Sequence, residues 1–587
     1  MRRIGVFICH CGLNIAGTVD VERAAEEMRG YPGVVHAEDQ KYMCSDPGQR
    51  ALRVAIRDHS LDGVVVAACS PSMHEPTFRK AVASQGLNPY QCEIANIREH
   101  CSWVHREAQA EASAKAVEII KTMVEKVRFN RSLEPLSLPL TKRAMIVGGG
   151  VAGLRAALDI ADAGYSVILV EKEAKLGGHG AQLSAIYPKF EAASDVIAGT
   201  TRRVETHPRI QVLTRAQVRE AEGHVGSFTV KVGQEDEEAN ACPGDPASAE
   251  GDADLRSFTF EVGAIILATG YELYSQERLS EYGAGKHADV IDALQFERML
   301  APDGPTGGQI RRPSDGSVPQ EVVFVQCAGS RDPELHMPYC SKICCMYVAK
   351  QAIMYRQQVP QGQAYVFYID IRAQGKGYEE FVQSASDEHG VLYLRGKVSR
   401  VFGEDGKVMV WGVDTLSGVP VQVAADLVVL ATAVVPSAGA EDLAQRLRVS
   451  LDENGFYREA HAKLRPVETP TPGVFLAGAG QFPKDIPETT AHASGAAAKV
   501  LQLFSQLEIS QEPTIAYVSQ EACSGCGLCV AACPYGAVSM HSRLPVAVVS
   551  PALCQGCGAC VAACPSKACM VQNSDTGQVL AMVEALL

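Results

Sequence analysis

The chain has 587 residues, of which 47% are hydrophobic and 21% charged, so it is long enough for several domains and apolar enough to bury large cores. Its net charge of −14 argues against a sequence-independent nucleic-acid binder, and no apolar run approaches the roughly 18–20 residues of a membrane span. The 20 cysteines, without a recognisable signal peptide, indicate a cytoplasmic metal or redox protein rather than a secreted disulfide scaffold.

Residues 1–135 alternate strand-like and helix-like patterns, which predicts an α/β domain whose parallel sheet carries helices on both faces. The expected strands are Ile4–Cys9, Val34–Glu38, Val64–Cys69 and Cys92–Ile97. Ligands bind at the carboxyl ends of such strands, and cysteines fall at that edge. The predicted ligands of an iron–sulfur cluster are Cys11, Cys44, Cys69 and Cys101. Cys9 is the rival of Cys11, and buried structural thiols are the alternative.

Residues 141–510 begin with a strand that runs into a G-x-G-x-x-G turn, a helix, and a second strand ending in Glu171. The glycines of this turn are Gly148, Gly150 and Gly153. They allow the backbone to approach a pyrophosphate, which the helix N-terminus then binds, while the acid suits ribose hydroxyls. A dinucleotide-binding domain is therefore expected.

Two later segments favour FAD over NAD. Residues 264–270 resemble the Ala-Thr-Gly strand of two-dinucleotide-domain flavoproteins, and residues 471–480, which precede a helix pattern, resemble their second flavin-contacting motif. That motif usually ends in an acid, whereas Gly480 stands here, so backbone contacts would have to substitute. We expect a thioredoxin-reductase-like FAD domain whose cofactor-binding residues are Gly148, Gly150, Gly153, Glu171, Lys172, Gly178, Gly270, Gly478 and Gly480.

A second Rossmann half is expected in the same domain, but its strand near Val322–Val325 lacks the phosphate-binding glycines. Four thiols stand in their place: Cys327, Cys340, Cys344 and Cys345. They suit a [4Fe–4S] cluster, which takes four cysteines. The adjacent Cys344 and Cys345 leave a redox disulfide pair as the alternative.

The segment Gly233–Asp254 is acidic and rich in Gly, Ala and Pro, which predicts a flexible surface loop. Cys242 within it has no partner nearby in the sequence and is expected to be incidental.

Residues 512–587 contain one cysteine pattern twice, ending each time in Cys-Pro. The first run is Cys523, Cys526, Cys529 and Cys533, and the second is Cys554, Cys557, Cys560 and Cys564. This is the signature of a two-cluster ferredoxin, in which the fourth cysteine of each run binds the other cluster. Zinc is the less favoured alternative, and Cys569 receives no role.

Together these motifs resemble the HdrA-like component of heterodisulfide reductase, its flavin and iron–sulfur subunit, over essentially the whole chain. The matching stretches begin at Cys9, Lys41, Cys69, Cys101, Cys327, Tyr339 and Pro483. The resemblance implies flavin-based electron bifurcation, with FAD and four [4Fe–4S] clusters as cofactors. It also implies that Lys350 lies near the flavin and acts in catalysis, against the alternative of a solvated helix lysine.

The same resemblance implies B- and C-type partner subunits, a hydrogenase- or formate-dehydrogenase-linked electron donor, ferredoxin, and a homodimer within a larger complex. The alternatives are a non-bifurcating electron relay, a self-sufficient NAD(P)H-dependent oxidoreductase, and a scaffold with structural clusters. The missing second glycine turn counts against the NAD(P)H enzyme, and the ferredoxin pattern counts against the scaffold.

Overall fold

The computed structural model describes residues 2–235 and 255–587. The chain divides into two compact units, one formed by the residues up to 138 together with 510–587, and the other by 139–509. The predicted acidic loop, with Cys242, lies outside the described residues from position 236 on, while Gly233–Glu235 end a strand. Within the described part of the chain, no helix combines the length and the apolar character needed to cross a bilayer.

The N-terminal part of the first unit is built on a parallel four-stranded sheet with the order β2-β1-β3-β4. Its elements are β1 (Ile4–Cys9), α1 (Val21–Arg29), β2 (Val34–Gln40), α2 (Asp46–Asp58), β3 (Gly63–Ala68), α3 (Pro71–Ala83), β4 (Cys92–Asn96), α4 (Gln109–Phe129) and β5 (Leu136–Pro139). The central strands β1 and β3 are buried along their whole length, as expected of a sheet covered on both faces. One core joins the sheet to α1 and α4, and another joins it to α2 and α3.

The second unit contains two parallel five-stranded sheets, with the orders β10-β7-β6-β14-β25 and β16-β23-β17-β18-β19. The elements up to the middle of this unit are β6 (Arg143–Val147), α5 (Val151–Asp162), β7 (Ser166–Val170), β8 (Ala185–Ile186), β9 (Glu191–Ala192), α6 (Ala193–Thr206), β10 (Ile210–Leu213), β11 (Ala216–His224), β12 (Ser227–Glu235), β13 (Leu255–Val262), β14 (Ala264–Leu267), β15 (Tyr271–Leu273), β16 (Val290–Asp292) and α7 (Ala293–Leu300).

The remaining elements of this unit are β17 (Glu321–Ala328), α8 (Cys344–Gln358), β18 (Gln363–Tyr368), α9 (Tyr378–Asp387), β19 (Leu392–Arg395), β20 (Val398–Glu404), β21 (Lys407–Asp414), β22 (Val419–Ala425), β23 (Leu427–Thr432), β24 (Val434–Pro436), α10 (Ala440–Leu447), β25 (Val474–Leu476) and α11 (Ile486–Phe504). Helix α11 begins at Ile486, since Asp485 caps it and accepts a hydrogen bond of 2.8 Å from Glu488 N. Each of the two parallel sheets thus has its own strand-to-helix connection, β6 to α5 and β17 to α8.

The C-terminal part of the first unit is small and built from short elements. They are β26 (Glu508–Gln511), β27 (Ala516–Val518), α12 (Leu528–Ala531), β28 (Val538–Met540), β29 (Ala547–Val549), α13 (Ala559–Ala563), β30 (Cys569–Val571) and α14 (Thr576–Glu584). Helix α14 packs on α4, and Gln578 Nε2 donates to Asn130 Oδ1 at 2.9 Å. The segments predicted as separate domains at the two ends of the chain therefore share one compact unit.

Candidate cofactor cavity and cysteine clusters

A cavity of about 920 Å³ lies within the second unit, at the carboxyl end of the first sheet. It is in the size range of cofactor sites. Seven of the predicted functional residues line it: Gly148, Gly150, Glu171, Lys172, Gly178, Gly270 and Lys350. Gly153, Gly478 and Gly480 do not line it directly, although Ala479, between the last two, does.

The turn between β6 and α5 is shaped so that only glycine fits at two of its positions. A Cβ on Gly148 would lie 2.3 Å from Ala268 O, and one on Gly153 would lie 1.8 Å from Gly148 O. Gly148 also has a φ of 110°. Helix α5 begins at this turn, so its free N–H groups are available to phosphate oxygens.

The glycine turn meets an acid and a second glycine. Glu171 is buried at the end of β7, and its carboxylate accepts hydrogen bonds from Gly149 N at 2.5 Å and Glu173 N at 2.8 Å. A Cβ on Gly178 would lie 3.2 Å from Gly150 Cα, so the two chain segments approach closely here. The half-exposed Lys172 pairs with Glu272 at 3.5 Å, a surface contact of small energetic weight.

A buried ion pair forms the opposite wall of the cavity. Lys350 on α8 pairs with Glu297 on α7, and each side chain is only 2% exposed. Lys350 Nζ also donates to Ala185 O at 2.9 Å. Glu297 further accepts from Ser184 N at 2.8 Å and from Gln351 Nε2 at 2.9 Å. The ammonium group is therefore held at the wall and is not a solvated surface charge.

The two partners hold each other in the charged form. Burial alone would raise the pKa of Glu297, but the charge of Lys350 and the donated hydrogen bonds outweigh it and lower the pKa. Burial lowers the pKa of Lys350, and the carboxylate opposes this shift. Glu297 and Gln351 both line the cavity, and sequence reasoning missed them. Glu297 could have been found because it is a charged residue at a buried position of α7, beside Phe296.

A second cation lines the cavity from the segment before α11. Burial is the main cause that lowers the pKa of Lys484 to about 8, and the positive charge of Lys342 adds to it.

A pair of stacked rings also lines the cavity. His179 stacks on Tyr271 with ring centroids 4.7 Å apart.

The residues present fit a flavin dinucleotide. The glycine turn and the start of α5 provide a cradle for a pyrophosphate, and Glu171 lies beside it. Gln351 Oε1, at the opposite wall, is buried and has no hydrogen-bond partner, so a polar ligand atom would satisfy it. Lys350 and Lys484 both line the same cavity.

The structure brings the four predicted thiols of the second sheet together. Cys327 is the second-to-last residue of β17 and has a φ of 58°, and Cys344 and Cys345 open α8. Cys344 hydrogen-bonds both Cys327 and Cys345, and Cys340 lies close enough to interact electrostatically with both of those. Lys342 N donates to Cys340 Sγ at 3.3 Å.

Two of the four thiols are shifted toward the thiolate and two away from it. Hydrogen bonds to Cys327 and Cys345, together with burial, raise the pKa of Cys344, and burial raises the pKa of Cys340. The hydrogen bond from Cys344, together with the neighbouring Arg331, lowers the pKa of Cys327 to about 7, and the bond from Cys344 also lowers the pKa of Cys345. Arg331 is itself oriented by Asp370, whose Oδ1 and Oδ2 accept from it at 2.6 and 3.1 Å. Thiolates are the form in which cysteines bind iron.

Helix α8 connects this thiol group with the cavity. Ile343 and Tyr347 line the cavity, and Tyr347 interacts electrostatically with Cys344 and Cys345. Lys350, five residues after Cys345, lies about 7.5 Å further along the helix axis at 1.5 Å per residue. The thiols and the buried ion pair are thus carried by one rigid element.

The N-terminal sheet collects a further set of thiols at its carboxyl edge. Cys9 is buried and its Sγ accepts from Met43 N at 3.4 Å. Burial raises its pKa, and Cys11 and Cys44 are close enough to raise it further. Cys69 is in turn a neighbour of Cys11. The structure therefore brings both Cys9 and Cys11 to the edge with Cys44 and Cys69.

Cys101 faces elsewhere. It is fully buried in the core that contains α1 and α4, and its thiol donates to Ala112 O at 3.0 Å. Its pKa is raised by burial, with Lys115 as the one charged neighbour of note. The predicted fourth ligand is thus separated from the other three, and its role stays a prediction. Over residues 2–235 and 255–587, no three His, Cys, Asp or Glu side chains are arranged to hold a single metal ion.

The C-terminal thiols show the internal duplication of the sequence. Ala537 N donates to Cys533 Sγ and Ala568 N donates to Cys564 Sγ, both at 3.2 Å. A second pair of N–H···S bonds joins Ala547 to Cys523 at 3.5 Å and Ala516 to Cys554 at 3.3 Å. Backbone N–H groups directed at sulfur are a feature that tunes iron–sulfur clusters.

The neighbours of Cys560 indicate how the thiols are grouped. Burial raises its pKa, and the charged neighbours that raise it further are Cys554, Cys533 and Cys557. Cys533 comes from the first run and the others from the second. The grouping has the crossed arrangement expected of a two-cluster ferredoxin.

Comparison with known proteins gives matches over each of these regions. Residues 522–568 match the family described as a 4Fe-4S dicluster domain, and residues 142–298 match that of pyridine nucleotide-disulphide oxidoreductases. The thioredoxin reductase of T. acidophilum superposes with a TM-score of 0.41 at 18% identity, over 62% of this chain and 99% of that one. The family matches confirm the predicted thioredoxin-reductase-like FAD domain and C-terminal dicluster domain, and support FAD and 4Fe–4S clusters as cofactors.

Curated relatives match over nearly the whole chain. An A-type iron–sulfur subunit of the CoB–CoM heterodisulfide reductase of Methanopyrus kandleri is 42% identical, over 92% of this chain and 91% of its own. The A-type subunit of the H2:CoB-CoM heterodisulfide,ferredoxin reductase of Methanothermobacter marburgensis is 40% identical, over 92% and 90%. The A-type subunit of the Ferredoxin:CoB-CoM heterodisulfide reductase of Methanosarcina mazei is also 40% identical, over 99% and 81%. The chain belongs to the HdrA family, the A-type flavin and iron–sulfur oxidoreductase subunits of heterodisulfide reductases.

Proposed function

We propose that this chain is the electron-bifurcating subunit of a heterodisulfide-reductase-like complex and carries FAD and four [4Fe–4S] clusters. Bound FAD would supply the exchange between a two-electron donor and one-electron carriers. The observation that carries the proposal is helix α8, which begins with two of four gathered thiols and lines the flavin-sized cavity within its first two turns, at Tyr347, Lys350 and Gln351.

The four clusters are assigned to the sets of thiols described above. One is bound by Cys327, Cys340, Cys344 and Cys345 beside the cavity, and two are bound in the C-terminal region with crossed fourth ligands. The fourth is at the N-terminal edge, where Cys11, Cys44 and Cys69 gather, with Cys101 as the proposed fourth ligand. Clusters at separate places give the electrons separate routes away from one cavity.

Lys350 acts at the cavity wall in this proposal. Its ammonium is fixed by Glu297 and Ala185 O, so it cannot swing away to solvent. A fixed cation beside the ring stabilises the anionic reduced form of a flavin. Glu297 is a positioning residue that holds this cation in place.

The partners we propose are B- and C-type subunits that reduce a disulfide, a hydrogenase- or formate-dehydrogenase-linked electron donor, and ferredoxin. Relatives of this chain carry names that link them to hydrogen, ferredoxin and a heterodisulfide. We also propose a homodimer within the complex, and a cytoplasmic location, where clustered thiols stay reduced.

The test is a coupled assay on the complex assembled from this chain and its partner subunits. With a two-electron donor present, bifurcation predicts that ferredoxin is reduced only when the disulfide acceptor is also present, with equal numbers of electrons going to each. Ferredoxin reduction at an unchanged rate without the disulfide would contradict bifurcation and favour a simple relay.

A further inference from the structure

Cys569 received no role from its position in the sequence, yet the structure places it among the C-terminal thiols. It begins β30, is 2% exposed, and belongs to the same core cluster as Cys529 and Cys560. Both its backbone N–H and its thiol hydrogen-bond Cys564. Its other sulfur neighbours are Cys529 and, with a weaker interaction, Cys560.

The two sulfurs that interact most strongly with Cys569, those of Cys529 and Cys564, are proposed ligands of one and the same cluster, which is bound by Cys523, Cys526, Cys529 and Cys564. A fifth thiol is thus in hydrogen-bond contact with the ligand that this cluster takes from the other cysteine run. Cys564 lies on the loop between α13 and β30.

The internal duplication shows that a thiol is not required at this place by the fold. Cys564 to Cys569 correspond to Cys533 to Val538 in the first run. Val538 is buried, with 4% of its surface exposed, and it begins β28 just as Cys569 begins β30. The backbone contact is also the same, since Ala537 N and Ala568 N each donate at 3.2 Å to the preceding cysteine. An apolar side chain therefore fills the equivalent site beside the other cluster.

We propose that Cys569 is an auxiliary thiol of the cluster bound by Cys523, Cys526, Cys529 and Cys564, and a reserve ligand for Cys564. In the intact protein its S–H hydrogen-bonds the Cys564 sulfur. When the Cys564 sulfur is lost, the Cys569 thiol releases its proton to solvent and forms the iron–sulfur bond in its place, with no change in the number of electrons. This inference rests on the ligand assignment proposed above.

The test compares variants of the full-length, anaerobically purified protein at corresponding positions of the two cysteine runs. Iron and acid-labile sulfide per FAD, and the EPR signals of the reduced protein, are measured for wild type, C564A, C533A and C564A/C569V. We expect C564A to retain the iron and the EPR signals of wild type, whereas C533A, with Val538 at the equivalent site, loses iron. The double variant should lose iron as C533A does.

Equal loss of iron in C564A and C533A would overturn the proposal. Loss of iron in C533A, which has Val538 rather than a thiol at the equivalent site, tests the ligand assignment by itself and so separates its failure from a failure of the Cys569 role. The single variant C569V provides a second measurement that leaves all proposed ligands in place. Because it removes a hydrogen bond that stabilises the more negative reduced cluster, the reduction potential of one C-terminal cluster should fall. An unchanged potential would show that Cys569 does not act on the cluster.

Discussion

The two strand-to-helix connections of the second unit share an architecture and differ in chemistry. Between β6 and α5, residues 148–150 make a short glycine turn that leaves the helix N-terminus open to the cavity. Between β17 and α8, residues 329–343 form a longer connection, and the helix opens with Cys344 and Cys345. The partial positive charge of a helix N-terminus suits phosphate in the first case and thiolates in the second. In the function we propose, the same scaffold thus serves two cofactors through the residues of its turn.

The largest expected effect is that a substitution in either connection removes the cofactor of that connection and leaves the other cofactor bound. Gly153→Val places a side chain against Gly148 O, and we expect FAD content to fall by at least about tenfold while the iron content is retained. Cys344→Ala should remove about four iron atoms per chain while FAD is retained. Both are measured by flavin absorbance and iron content of the purified variants. Loss of both cofactors in either variant would contradict the separation.

The buried ion pair on α8 should have the next largest effect. Lys350→Met leaves the Glu297 carboxylate buried and unpaired, so we expect the free energy of unfolding to fall by about 3–5 kcal/mol. The matched control is the double variant K350M/E297Q, which removes both charges and should regain most of that loss. Thermal unfolding followed by circular dichroism measures both. A double variant as unstable as the single one would show that the charge is not the cause.

The same pair predicts a pH dependence. The folded-state pKa of Glu297 is lowered from its ordinary 4.5, so the unfolded chain binds a proton more readily than the folded one. The stability that the pair contributes is present above pH 4.5 and is lost as the pH falls through the folded-state pKa. Wild type should therefore lose stability on acidification more steeply than K350M/E297Q. Parallel pH curves of the two proteins would refute this.

Lys484 offers a smaller effect at the cavity itself. Its pKa of about 8 means that a positive charge beside the cavity disappears as the pH rises through that value. The flavin potential should therefore fall more steeply with pH near pH 8, and this inflection should be absent in K484M. Lys463, which is exposed, provides the control variant K463M, in which the inflection should persist. Redox titrations at several pH values make the comparison.

The smallest expected effects are changes in stability on replacing a glycine in a turn and a glycine in a helix. Gly178 has a φ of 54° and lies against Gly150, so Gly178→Ala should cost about 1–2 kcal/mol of stability. Gly199 lies within α6 with open space around its Cα, so Gly199→Ala should stabilise the protein by about 0.5–1 kcal/mol. Denaturant unfolding of the apoprotein variants gives both values, and effects of the same sign would contradict the difference.

Much of the fold was predictable because its signals are local. The four strands of the N-terminal sheet and the glycine turn followed from apolar runs and glycine spacing. The capping pair Asp485 and Glu488 was also visible in the sequence and would have placed the start of α11 correctly.

The contacts that the sequence did not predict depend on how distant elements pack against each other. Cys101 lies five residues beyond β4, and the packing of α4 decides which way its thiol faces. The pairing of Glu297 with Lys350 brings together α7 and α8, which no local pattern connects. The contact between Cys569 and Cys564 likewise arises from the start of β30, whose role the cysteine pattern does not show.

The most direct test of the account is the iron and acid-labile sulfide content per FAD of the anaerobically purified wild-type chain. Four [4Fe–4S] clusters predict about 16 iron atoms per FAD. A value of about 8 would leave only the C-terminal pair of clusters and would contradict the assignment of a cluster to the β17–α8 connection.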